Sequence, residues 1–149
     1  MMASDGKKPG LLFLCTGNSC RSQMGEGFAR KKLGDAVDVY SAGVIAKGVN
    51  PFAAKVMAEK GIDLSTHKSQ VVGEFLDKNV TVVLTVCGHA HETCPAFPKE
   101  AKIIHHAFDD PPHLAEGLSE EEALPIYRRV RDEIQEYVDT VVPTFFEKQ

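Results

Sequence analysis

The sequence predicts an α/β fold: a single domain with a four-stranded parallel sheet flanked by helices on both faces. Three observations carry that reading. Strand-like and helix-like segments alternate along the chain, with no internal repeat and no low-complexity stretch. Two runs, residues 11–14 (Leu-Leu-Phe-Leu) and the β-branched 80–86, are apolar in the manner of buried strands. At 149 residues and 43% hydrophobic, the chain is long enough for one real core. Residues 1–9 are assigned to a flexible N-terminus and 10–149 to the domain.

The first strand covers residues 11–14, and a helix follows over 22–33, with Met24, Phe28, Ala29 and Leu33 near helical spacing and Gly34 as its stop. Residues 37–41 read as the second strand, closed by Ala42 and Gly43. Asn50-Pro51 caps a helix that runs to about Lys60, where Gly61 ends it. Residues 71–77 form a short helix or turn, 80–86 the central strand, and Ile103-Ile104 begins the fourth. Ser119 and Glu122 make a capping box, but Pro125 is expected to interrupt that turn and restart the helix. The final helix then carries Ile126, Val130, Ile134, Tyr137, Val138 and Val141 on one face and ends near Pro143.

The junction of the first strand and helix reads Cys15-Thr-Gly-Asn-Ser-Cys-Arg21-Ser22. A cysteine, five residues and an arginine form a loop able to wrap its amides around a tetrahedral oxyanion. The candidate binding residues are Thr16, Gly17, Asn18, Ser19, Cys20, Arg21 and Ser22. Gly17 and Asn18 tolerate the backbone angles such a cradle needs. The loop amides and the start of the next helix supply positive potential. Arg21 adds a planar fork matched to two oxygens. The same field stabilises a thiolate at Cys15 and makes it a nucleophile. Spacing alone is a weak signal; its place at the carboxyl end of a strand, where open α/β sheets bind ligands, strengthens it. Cys20 reads as a packed or loop-supporting thiol.

A net charge of −4 argues against general nucleic-acid binding but not against a small anion held by a local field. No run approaches a membrane span, and the polar N-terminus lacks the apolar stretch of a signal peptide, so the expectation is a cytoplasmic protein. In that compartment the four cysteines are catalytic, redox or metal-binding rather than permanent staples.

Cys87 and Cys94 bracket Gly-His-Ala-His-Glu-Thr after the central strand, at the sheet edge expected for Cys15. If helical, their Cα atoms would be about 10 Å apart, whereas a disulfide needs roughly 4.4–6.8 Å. The pair closes only if the segment loops out, which Gly88 and Pro95 favour, making a redox switch with a built-in conformational change. Zinc held by the two cysteines with His89 or His91 is a competing reading, weakened by the lack of C-x2-C spacing. Two unrelated cysteines on a loop are another. Phe108-Asp-Asp-Pro-Pro112 follows the fourth strand at the same edge. A carboxyl group beside a thiolate and a bound anion favours its protonated form, as an acid for a departing oxygen must. Asp110, fixed by the following proline, is chosen over Asp109; the plainer reading is a turn. His105, His106 and His113 are assigned to the surface or to supporting positions.

Together these residues resemble a known family. Cys-Thr-Gly-Asn-Ser-Cys-Arg-Ser-Gln-Met at 15–24, Tyr-Ser-Ala-Gly at 40–43, Gly-Val-Asn-Pro at 48–51, Cys-x6-Cys-Pro at 87–95, Phe-Asp-Asp-Pro at 108–111 and Arg-Val-Arg-Asp-Glu-Ile at 129–134 are similar to the thioredoxin-coupled arsenate reductases. That family shares the fold of the low-molecular-weight protein tyrosine phosphatases, which implies a phosphatase-like P-loop after the first strand. The resemblance implies that Cys15 attacks bound arsenate, that Arg21 and the loop hold its oxygens, and that phosphate or sulfate compete. Ser22 would hydrogen-bond the Cys15 thiolate, Asn18 would support the loop, and Asp110 would protonate the departing hydroxide. Cys87 would attack the Cys15 sulfur and release arsenite. Cys94 would then move the disulfide to Cys87–Cys94, for thioredoxin to reduce. The resemblance implies no metal or organic cofactor, and a monomer is the default expectation. Some members bind potassium through residues matching Asn18, Glu26, Ser41 and an aspartate; Gln70 stands at the last position here, so no potassium dependence is expected. The alternatives are a phosphatase using Cys15, Arg21 and Asp110 alone, and a thiol-based sensor without turnover.

Overall fold

Residues 11–14 carry no polar side chain, so strand β1 (Gly10–Cys15) is stable only with both faces covered, and all six of its residues are buried. The computed structural model of the chain describes residues 8–75, 78–86 and 101–147. After β1 come α1 (Arg21–Leu33), β2 (Asp38–Gly43), α2 (Pro51–Ala58), a 3-10 turn (Val72–Phe75), β3 (Val80–Thr85) and β4 (Lys102–His105). The one-turn α3 (Pro111–Leu114), the long α4 (Glu120–Thr140) and a 3-10 turn (Val142–Phe146) complete the described chain. The strands form one parallel sheet in the order β2-β1-β3-β4, the predicted fold class.

Side chains alternate across a strand, so β1 and β2 sort their neighbours into two layers. On one face lies α1: Ser41 Oγ donates to Glu26, and Arg30 Nη2 donates to the Val39 carbonyl. Gly25 approaches Phe13 so closely that a Cβ there would stand 2.5 Å from the ring. On the other face Tyr40 meets Phe75, ring centroids 5.3 Å apart. The crossover from β1 to β2 runs one way and that from β2 to β3 the other. Right-handed connections then fall on opposite faces and leave a switch point at the carboxyl end of β1. There Cys15 pairs with Gly43 and Leu14 with Thr85.

The last helix differs from expectation in two places. Pro125 does not interrupt the last helix, which runs unbroken from its Ser119–Glu122 capping box to Thr140. The N–H that proline lacks would have served the carbonyl of Glu121, and both residues lie on the exposed face of the helix, where a missing backbone bond costs least. Ile126 is only half-buried; the core face is Ala123, Leu124, Tyr127, Val130, Arg131, Ile134 and Val138. That stripe follows the three-to-four spacing set by Val130, Ile134 and Val138, which selects Tyr127 over its neighbour. Gly34 ends α1 as expected, in a right-handed conformation and donating to the Arg30 carbonyl at 3.0 Å, whereas Gly61, after α2, takes a positive φ of 77°.

Buried Arg131 ties α4 to α2 by donating to the Val56 carbonyl at 3.0 Å and to Glu59 Oε1 at 2.7 Å. Arg128 grips the same carboxylate with its Nε and Nη2. Those hydrogen bonds, Arg128 first, hold Glu59 down at about 2 against an ordinary 4.5. Among the described residues no helix is long and apolar enough to cross a membrane.

Candidate active site

The loop between β1 and α1 is shaped by where its carbonyls go. Cys15 O accepts from Val44 N at 3.2 Å, Thr16 O from Ile45 N at 3.0 Å, and Gly17 O from Lys47 N at 2.9 Å. Asn18 O accepts from Gln23 Nε2 at 3.1 Å, Ser19 O from Asn50 N at 2.8 Å, and Cys20 O from Met24 N at 2.9 Å. Every carbonyl from 15 to 20 is thus bonded on the outside of the curve. In a trans peptide the N–H points opposite to the C=O, so the amides of residues 16–21 turn toward the concave side. That ring of donors is a cradle for an anion. Cys20 caps α1 with no side-chain hydrogen bond, leaving the first helical amides for the same purpose.

Asn18 makes this backbone possible. Among the described residues it is the only non-glycine with a positive φ, 49°. Its fully buried side chain donates to Ser22 Oγ at 2.8 Å and Ser41 Oγ at 3.0 Å, and accepts from Gln70 N at 2.7 Å. Gly17 does not take a positive φ; its open face is covered by the Lys47 stem, which a Cβ there would meet at 2.8 Å. Gly43 must also lack a side chain: a Cβ on it would stand 2.6 Å from Asn18 N and 2.8 Å from Thr16 O. Ser22, accepting from Asn18, keeps its own O–H to donate.

Arg21 begins α1 and is buried. Its Nη1 donates to the Phe108 carbonyl at 2.9 Å, and its Nη2 lies 3.4 Å from Asp110 Oδ1. Its Nε is buried and has no hydrogen-bond partner among the described residues, a donor that an anion in the cradle can satisfy. Asp110 and Asp109 part company: Asp110 lines the cavity, while Asp109 turns away to Arg129 at 3.1 Å. Burial, only partly opposed by Arg21, pushes the Cys20 thiol up to about 12, so Cys20 stays protonated. Cys15 and Cys20 share a cavity of about 430 Å3 with Arg21, Lys47, Asp110 and Pro112. Cys87, Cys94, His89 and His91 lie outside the described residues, and the disulfide and zinc readings lie there with them. Val86, the residue before Cys87, bonds Leu14 O at 2.9 Å on the active edge.

Nothing in the local patterns marks Lys47 or the Asn50 side chain as cavity residues. Sheet register is the signal that reaches them: whatever follows Gly43 must run beside whatever follows Cys15. The oxygens at the positions matched to a potassium site already serve protein donors. Both Glu26 oxygens are engaged, one by Arg30 at 2.7 Å and one by Ser41 at 2.5 Å, and Asn18 Oδ1 already accepts from Gln70. Among the described residues no cluster of three or more His, Cys, Asp or Glu side chains is placed to hold a metal.

Comparison with known proteins gives this geometry its relatives. The arsenate reductase of Halalkalibacterium halodurans is 51% identical over 134 residues, covering 90% of this chain and 95% of that protein. A solved arsenate reductase in the phosphate binding state superposes with a TM-score of 0.72 at 31% identity, covering 93% of this chain and 98% of the other. A low molecular weight protein tyrosine phosphatase from T. tengcongensis gives 0.74 at 27% identity, covering 92% and 99%. Residues 10–148, almost the whole chain and both ends of the anion loop, match one family along their length, and the protein is a member of the low molecular weight phosphotyrosine protein phosphatases.

Proposed function

We propose that this protein is an arsenate reductase that passes an oxidising equivalent through Cys15, Cys87 and Cys94 to thioredoxin. The observation that carries the reading is the cradle: six outward-bonded carbonyls, inward amides, and a buried Arg21 Nε awaiting an oxygen. Support for arsenate as the oxyanion comes from relatives named arsenate reductases at about half identity over most of their length.

Arsenate lies on the loop amides and Arg21. The Cys15 thiolate attacks arsenic, and Asp110 gives its proton to the departing oxygen, which leaves as water. The Cys87 thiolate then attacks the Cys15 sulfur. A sulfur–sulfur bond forms, the sulfur–arsenic electron pair stays with arsenic, and arsenic(V) leaves as arsenic(III) in arsenite. Cys94 next attacks Cys87, freeing the Cys15 thiolate and leaving a Cys87–Cys94 disulfide. The thioredoxin dithiol reduces that disulfide and is itself oxidised. The protein works as a cytoplasmic monomer, where a reducing pool keeps the three thiols available.

The test is NADPH oxidation in the presence of arsenate, thioredoxin and thioredoxin reductase, with disulfides mapped by mass spectrometry. Wild type turns over continuously and accumulates Cys87–Cys94 when thioredoxin is withheld. Cys94→Ser stops after one arsenite per protein, and Cys87→Ser releases almost none; sustained turnover by either variant defeats the relay. A second reading, hydrolysis of phosphate monoesters through Cys15, Arg21 and Asp110, is favoured by the family match. Hydrolysis of p-nitrophenyl phosphate faster than arsenate reduction makes it the main activity.

A further inference from the structure

Lys47 lies on the segment that leaves β2, and its main-chain N–H donates to Gly17 O at 2.9 Å. Its stem is laid across the oxyanion loop: a Cβ built on Gly17 would meet Lys47 Cδ, Cγ and Cβ at 2.8, 3.1 and 3.3 Å. Lys47 and Arg21 both line the cavity that holds Cys15. Lys47 is exposed and makes no ion pair among the described residues, while Arg21 already answers to Asp110 and to the Phe108 carbonyl.

Without it the cavity offers a single full positive charge. An arsenate or phosphate dianion facing a Cys15 thiolate places three negative charges against the single charge of Arg21, and the whole chain carries −4, which repels anions at long range. A lysine ammonium on a flexible stem offers a compact charge and three rotatable donors.

We propose that Lys47 is a substrate-binding residue, the second cation of the oxyanion site, which recruits the tetrahedral dianion by pairing with its outward-facing oxygens. The ammonium is free to follow those oxygens through the reaction, so it holds ground state and transition state alike; it sets KM and leaves kcat nearly unchanged. The inference rests on the arsenate reductase reading for the identity of the substrate. Its binding arm uses inorganic phosphate and needs no turnover.

Lys47→Met keeps the apolar stem over Gly17 and removes only the charge, and Lys47→Arg restores the charge. Calorimetric titration with inorganic phosphate and steady-state arsenate reduction are compared for the three proteins. In Lys47→Met the phosphate Kd and the arsenate KM both rise about tenfold, equivalent to about 1.4 kcal/mol. Its kcat stays within about twofold, its phosphate affinity loses part of its salt dependence, and Lys47→Arg returns to within about threefold of wild type. A Lys47→Met phosphate Kd within threefold of wild type, a rise in KM without a matching rise in Kd, or no recovery in Lys47→Arg overturns the role. Wild type that binds phosphate but does not reduce arsenate sinks the reductase reading and leaves Lys47 to be decided on the phosphate Kd. Wild type that binds neither overturns both.

Discussion

Replacing Asn18 with alanine removes the side chain that holds the anion loop in shape. Three hydrogen bonds go with it: to Ser22 Oγ at 2.8 Å, to Ser41 Oγ at 3.0 Å and from Gln70 N at 2.7 Å. Each such bond contributes about 1 kcal/mol, so their loss costs about 3 kcal/mol. Alanine must also adopt φ of 49°, which asparagine tolerates and alanine does not, for about 1 kcal/mol more. The sum is about 4 kcal/mol, and for a chain of this size it lowers Tm by roughly 8–16 °C. The functional loss adds to it. Without the Asn18 anchor the loop relaxes, the amides leave the anion, and kcat/KM falls on the order of a hundredfold even well below the new Tm. Thermal unfolding and coupled arsenate reduction are measured on the same preparation. A variant melting within 3 °C of wild type, or one with unaltered kcat/KM, would refute the view that Asn18 sets the loop.

Asp110→Asn removes the acid and lowers arsenate turnover on the order of a hundredfold or more, whereas Asp109→Asn, which loses only an exposed pair with Arg129, stays near wild type; the reverse ranking in the coupled assay contradicts the assignment. Gly25→Ala drives a Cβ to 2.5 Å from the Phe13 ring; overpacking of about 2 kcal/mol against about 1 kcal/mol of better helix propensity leaves a net loss in urea unfolding. Phe13→Leu added to it recovers part of that loss, and a stabilised Gly25→Ala shows that the contact is not tight. Glu59 is held at about 2 in the folded chain against an ordinary 4.5, so its stabilisation is complete above pH 4.5 and disappears as pH falls toward 2. Glu59→Gln flattens the acid limb of stability across that window, and an identical acid limb in the two proteins shows that the Arg128–Glu59–Arg131 clamp is not what the protons break.

Much of the fold was legible because its signals are local. The β1 strand, the Asn50-Pro51 cap, the Ser119 capping box and the stop at Gly61 each lie within a few residues of the element they shape. The misjudged points were those where a local rule met a non-local outcome. Proline breaks helices in general, but here Pro125 and Glu121 both lie on the exposed face of α4. Ile126 and Tyr127 are adjacent large side chains, and the direction from which α2 approaches α4 decides which is buried; Phe52 packs edge-on against Tyr127 with ring centroids 5.4 Å apart, and Asn50 donates to its hydroxyl.

By itself the sequence determined the order of strands and helices, the place of the anion loop between β1 and α1, and the chemical kinds of residue at its rim, because each depends on neighbours along the chain. Tertiary structure alone decided that Arg21 reaches the Phe108 carbonyl 87 residues away, that Asp109 turns to Arg129 on the last helix, and that Lys47 lies across Gly17. Those outcomes come from sheet register and helix packing, which sum many weak contacts between distant segments, so no short stretch of the chain contains them.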